Sequence, residues 1–210
     1  MSLDTRDWAS IEEPTGTSYE VKVSLCLAFY TDYIILGRLV KTMNNQWYRA
    51  SALLSSNSEA QKIYTLYVRD VEGSIISFRL FKNLLSSTDT KTISELIYHS
   101  SCFICSARRS GRLLEALSAR HSLFSAEVAG VIRLEWKKKR SFYEKLRPVR
   151  DAIEHIDSKD FNQTKLSFFN LENETLKVTE NQFFPINQET LNKIVSSLET
   201  ISKKVIESFG

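Results

Sequence analysis

The chain has 210 residues, of which 42% are hydrophobic and 25% charged, with a formal net charge of +3. This is ordinary globular composition, long enough to bury a sizeable core. Six glycines and three prolines are few, which favours long helices over a turn-rich β fold. The most apolar stretch, 23–36, is interrupted by Asp32 and is too short for a membrane span. The acid-rich start (Asp4, Asp7, Glu12, Glu13) lacks a secretory pattern, so a cytoplasmic protein without membrane attachment is expected.

Residues 1–17 show no clear periodicity and read as an arm or loop. Residues 18–210 read as one domain, because no proline- or glycine-rich linker divides them. From Ser18 the apolar residues recur at near-helical spacing as far as Met43, although the valine-rich start also fits a strand. Asn44-Asn45 marks a turn, and a short amphipathic piece follows it (Trp47, Ala50, Leu53, Leu54). After the polar break at Ser55-Ser56-Asn57-Ser58, a helix is predicted over 59–85, with Gly73 as a point of bending. Thr92 opens the next helix, with Glu95 at the capping-box position. A further helix runs from about Ser122 through Trp136 toward His155.

Beyond Asp157 short aromatic and alternating segments replace the helical pattern. A β-hairpin is expected at about 165–180, turning at Glu172-Asn173-Glu174 and stopped by Pro185. A last amphipathic helix carries Leu191, Ile194, Leu198, Ile201 and Val205. The expected fold is mainly α: a helical bundle with a small β-hairpin near the C-terminus.

Charge is unevenly distributed. Residues 1–100 carry net −1, residues 101–150 net +8 and residues 151–210 net −4. A local excess of this size attracts polyanions although the whole chain is nearly neutral. The contiguous run Lys137-Lys138-Lys139-Arg140 points all round a helix axis, so it forms no single flat patch. With Arg133, Lys145 and Arg147 it makes the approach to Arg150 strongly basic, and these seven are the candidate nucleic-acid-binding residues. Arg108, Arg109, Arg112 and Arg120 on neighbouring segments extend that surface.

Other chemistries find little footing. His99, Cys102 and Cys105 follow at three-residue spacing, but a metal site needs a second ligand pair. Only Cys26 and His121 remain as soft candidates, so the group reads as helix core. Three cysteines form no disulfide framework and are expected to be reduced thiols. Phosphate-binding glycine loops and a serine nucleophile elbow are absent, and no metal or cofactor is expected.

The segment 147–157 carries the most chemistry. On a helix of about 100° per residue, Arg150, Asp151, Glu154, His155, Asp157 and Ser158 fall in one arc of roughly 160°. Phe142, Leu146, Val149, Ala152, Ile153 and Ile156 fall opposite. The apolar stripe keeps phase across Pro148, which predicts a helix continuing through the proline with a kink; a fresh helix with Pro148 in its first turn is the alternative. The four-residue spacings allow Asp151 to orient His155, and Arg150 to pair with Glu154. Histidine moves protons near neutral pH and arginine grips phosphate through its planar fork. Phosphodiester cleavage by an internal 2′-hydroxyl needs those two parts when no metal is present.

Arg150-Asp151-x-x-x-His155 resembles the motif of the HEPN superfamily, in which a histidine follows an arginine by four to six residues and a polar residue often follows the arginine. Glu154-His155 followed by Asp157 is similar to several bacterial branches. The resemblance covers 142–157 and implies a metal-independent endoribonuclease acting through a composite site in a homodimer. His155 would transfer protons, Arg150 would stabilise the phosphate and Asp151 would position one of them. Products would carry 2′,3′-cyclic phosphate and 5′-hydroxyl ends. Many such proteins are toxins or defence effectors restrained by an antitoxin or sensor partner. Others are non-catalytic dimerisation, scaffold or nucleic-acid-binding modules, which is the alternative reading. Asp157 stands where one toxin branch carries a tyrosine that is nucleotidylated, so that control is not implied here.

Overall fold

The computed structural model describes residues 45–85, 92–154, 174–179 and 182–209. They form five α-helices and one two-stranded antiparallel sheet: α1 (Asn45–Leu53), α2 (Ser58–Leu85), α3 (Thr92–Ala119), α4 (Ala126–Glu154), β1 (Thr175–Thr179), β2 (Gln182–Pro185) and α5 (Gln188–Phe209). A helical bundle with a small sheet near the C-terminus is the fold class that the sequence predicts. The segment 18–43, the strand candidate 165–171 and the end of the motif, His155 included, lie outside the described residues.

Helix starts follow side-chain caps. Asn57 Oδ1 accepts the Ala60 amide at 3.1 Å ahead of α2, and Asn187 Oδ1 accepts that of Thr190 at 2.9 Å ahead of α5. Residues 121–123 form a 3-10 turn, and α4 itself begins at Ala126 behind Ser125.

The most extensive packing in the described bundle is between α2 and α3. Small residues let the two backbones approach. A Cβ on Gly73 would stand 3.0 Å from Ser106 Oγ, so Gly73 serves close packing within a continuous helix. Buried hydroxyls on this seam bond back into their own helices, Ser74 to the Asp70 carbonyl at 3.0 Å and Ser110 to that of Ala107 at 2.8 Å. Helix α4 crosses α3 where Tyr143 lies on Gly111; a Cβ there would come within 2.4 Å of the ring. Trp47 of α1 is fully buried, and Tyr64 of α2 shares a 2.6 Å hydrogen bond with Ser202 of α5.

Pro148 lies inside α4. Without an N–H it cannot bond the carbonyl four residues back, but Glu144 and Pro148 are both exposed, so water can serve that carbonyl. The buried stripe of Tyr143, Leu146 and Val149 passes the proline unbroken.

The described hairpin lies further toward the C-terminus than expected. β1 pairs forward with β2, placing Leu176 opposite Phe184 and Lys177 opposite Phe183, and Pro185 is the last strand residue. Alternation explains the pairing: Leu176 and Phe184 are buried, while Phe183 points out and is 62% exposed. Glu174 enters β1 with φ 58°, and its carboxylate binds Lys82 of α2, tying the hairpin to the bundle.

Candidate nucleic-acid interface

Helix α4 distributes the predicted basic residues over two surfaces. Arg133, Lys137, Arg140, Glu144, Arg147 and Asp151 follow at alternating steps of four and three and form one outer ridge. Two ion pairs run along it, Arg140 Nε to Glu144 Oε1 at 2.7 Å and Arg147 Nε to Asp151 Oδ2 at 3.6 Å. Both are solvent-exposed and individually weak. Lys138, Lys139 and Lys145 turn to the other flank. The contiguous basic run is thus divided around the axis, as its helical geometry requires.

At the end of the ridge Arg150 is half-buried and donates from Nη1 to Asp151 Oδ1 at 2.6 Å. Asp151 therefore receives Arg147 and Arg150 together. Asp151, expected to position Arg150 or His155, meets Arg150 and Arg147. The expected Arg150–Glu154 and Asp151–His155 contacts involve side chains outside the described residues.

Across the helix interface α3 contributes two more guanidinium groups. Arg108 is pushed toward easier deprotonation, first by burial and then by the positive charges of Arg112, Arg147 and Arg150, with Glu115 acting against them. Four arginines from two helices thus share one electrostatic neighbourhood, with Asp151 and Glu115 as acidic counterweights. Such a cluster is suited to an anion with several oxygens, because each planar fork donates two parallel hydrogen bonds.

On the opposite flank, Lys138 and Lys145 border a cavity of about 730 Å³ between α4, β2 and the start of α5. Lys138 Nζ is 3.0 Å from Glu135 Oε1, and Lys139 Nζ donates to Ser196 Oγ at 3.3 Å. Burial pushes the Lys139 amine toward neutrality and Glu135 opposes it, while Lys193 and Lys138 add to the downward push. Lys193 and Phe183, both lining this cavity, escaped the sequence reading. The adjacent pair Phe183-Phe184 was the available signal, since consecutive strand residues face opposite sides.

A second cavity, of about 520 Å³, opens between α2 and α3. Asp70 is nearly inaccessible there, with Arg109 Nε at 3.4 Å and Arg69 Nε at 3.8 Å. Burial raises its carboxyl pKa against the pull of both arginines. His99 is buried in the wall and its imidazole pKa is lowered, chiefly by burial, with Glu95 opposing. Cys102 also lines the space; burial raises its thiol pKa, opposed by a hydrogen bond with Tyr98 and by Arg109. Of the three residues read as helix core, only His99 is buried; Cys102 and Cys105 are half-buried. Among the described residues no cluster of three or more potential ligands is placed to hold a metal, and no helix is long and apolar enough to cross a membrane.

No protein-family model, curated protein or solved structure matches the chain.

Proposed function

We propose that this chain is a metal-independent endoribonuclease of the HEPN type, working as a homodimer and serving as a toxin or defence effector held in check by a partner protein. The supporting observations are the Arg150–Asp151 pair at 2.6 Å and the electrostatic influence that Arg150, the arginine of the motif, shares with Arg112 and Arg147 on half-buried Arg108. In the proposed reaction His155 takes the 2′-hydroxyl proton. The 2′-oxygen then attacks phosphorus, and negative charge grows on the non-bridging oxygens. Arg150 stabilises that charge, with its neighbours lowering the energy of the dianionic transition state further. The bond to the 5′-oxygen breaks, and that oxygen takes a proton from His155 of the second copy in the composite site. The products are a 2′,3′-cyclic phosphate and a 5′-hydroxyl.

Asp151 has a defined part in this scheme. Its bond to Arg150 fixes the direction of the guanidinium that is to face phosphate. The test is incubation of purified protein with RNA in excess EDTA, followed by analysis of product ends. Cleavage that survives chelation and disappears in His155→Ala is expected. RNA binding without any cleavage by the wild type would instead select the non-catalytic nucleic-acid-binding module.

A further inference from the structure

None of Arg108, Arg112, Arg147 and Arg150 lines the cavity between α4, β2 and α5, although Pro148 and Val149 of its wall adjoin Arg147 and Arg150 in the chain. The cavity wall is apolar at Phe142, Val149 and Phe184, and its rim is cationic at Lys138, Lys145 and Lys193. Phe142 and Phe184 pack with centroids 5.7 Å apart, giving a firm floor. Phe183, on the same strand, projects its ring to solvent at the rim and is 62% exposed. An aromatic ring held out on a short hairpin gains nothing for the core. It does offer a stacking face within reach of the lysines.

Charge narrows the choice of occupant. Glu135 and Glu189 each neutralise one rim lysine, Lys138 at 3.0 Å and Lys193 at 2.6 Å. Lys139 and Lys145 line the same cavity and leave the rim in positive excess; burial disfavours the Lys139 charge most, with Glu135 opposing and Lys193 and Lys138 adding to it. An anion placed there balances that excess. The apolar wall and exposed ring call for a flat aromatic group on the same ligand. The cavity volume is within the range of ordinary ligand sites.

We propose that this cavity binds an unpaired nucleotide, its base stacked on Phe183 and its phosphates held by Lys145 and the neighbouring lysines. In this protein the nucleotide belongs to single-stranded RNA, seated away from the cleavage centre. The polymer's identity as RNA rests on the ribonuclease reading; the base-plus-phosphate chemistry does not. Binding of this kind tolerates any sequence, because every base has a π face.

The test uses the full chain carrying His155→Ala, so that the strand stays intact during titration. Fluorescence anisotropy is measured with oligo-uridine, oligo-adenine and a matched duplex, with UMP and AMP as competitors. Adding Phe183→Ala is expected to weaken single-strand binding roughly ten-fold, the effect of one lost base stack, with the salt dependence unchanged. Phe183→Trp restores it. Lys145→Ala is expected to lower the slope of log affinity against log salt by about 0.7, one phosphate contact. Mononucleotides competing far more weakly than strands assign the site to RNA, and equal competition assigns it to a free nucleotide. Unchanged binding in Phe183→Ala overturns the proposal, as does equally strong competition by polyglutamate, which would mark an acidic-protein surface. The two readings fail separately. Binding lost in Phe183→Ala while unmutated protein cuts no RNA removes the ribonuclease and keeps the site. Cleavage with unaltered KM in Phe183→Ala removes the site and keeps the ribonuclease.

Discussion

Arg150 and Asp151 meet at 2.6 Å, and in the proposed ribonuclease this pair separates affinity from catalysis. Asp151→Asn removes the carboxylate that Arg147 and Arg150 share, so in the proposed ribonuclease RNA affinity should rise a few-fold at low salt. The same change releases the guanidinium from its fixed direction, so kcat should fall; a KM–kcat split in steady-state assays checks both. Arg150→Lys keeps the charge and loses the planar fork, and should reduce kcat/KM on the order of a hundred-fold. Gly111 gives a stability prediction: Ala at this site meets the Tyr143 ring at 2.4 Å. Gly111→Ala should cost about 1–3 kcal/mol in urea unfolding. His99 adds a pH dependence. Its folded pKa lies below the ordinary imidazole value, so the unfolded chain takes up the proton first as pH falls. The stability linked to neutral His99 is complete above about pH 6.5 and is lost as pH falls through the lowered folded value. Urea titrations across that window should show a shallower acid loss in His99→Gln than in wild type.

At the scale of elements, α4 was legible because its period is long and unbroken. The phase of Phe142, Leu146 and Val149 across Pro148 identified a continuing helix, and these residues do face the core. That Lys137-Lys138-Lys139-Arg140 would be divided around the axis also followed from helical geometry alone. The electrostatic influence of Arg147 and Arg150 on Arg108 did not follow, since it depends on the register between α3 and α4. That register is set at Gly111 and Tyr143, residues carrying no functional mark of their own. The cavity beside Lys145 was hidden for a related reason: β2 supplies part of its wall, and reading Pro185 as a stop concealed the strand before it. Phe184 fastens that strand to Phe142. Phe184→Ala should destabilise the protein by about 3–5 kcal/mol, whereas exposed Phe183→Ala should leave thermal unfolding nearly unchanged.

Over the whole molecule, the net +8 of residues 101–150 is carried largely by α3 and α4, and the fold sets this charge on both flanks of α4. One flank gathers arginines around the proposed cleavage centre; the other rims an aromatic cavity with lysines. In the proposed arrangement an RNA strand is held on one flank and cut on the other, at a composite site that a second copy would complete. The most direct measurement is single-turnover cleavage of a labelled RNA in EDTA by the wild type and by His155→Ala, each first shown by light scattering to be dimeric. The wild type should cut the RNA without metal to leave 2′,3′-cyclic phosphate ends, and His155→Ala should leave it intact. Equal cleavage by both proteins, or none by the dimeric wild type on structured and unstructured RNA, would contradict the account.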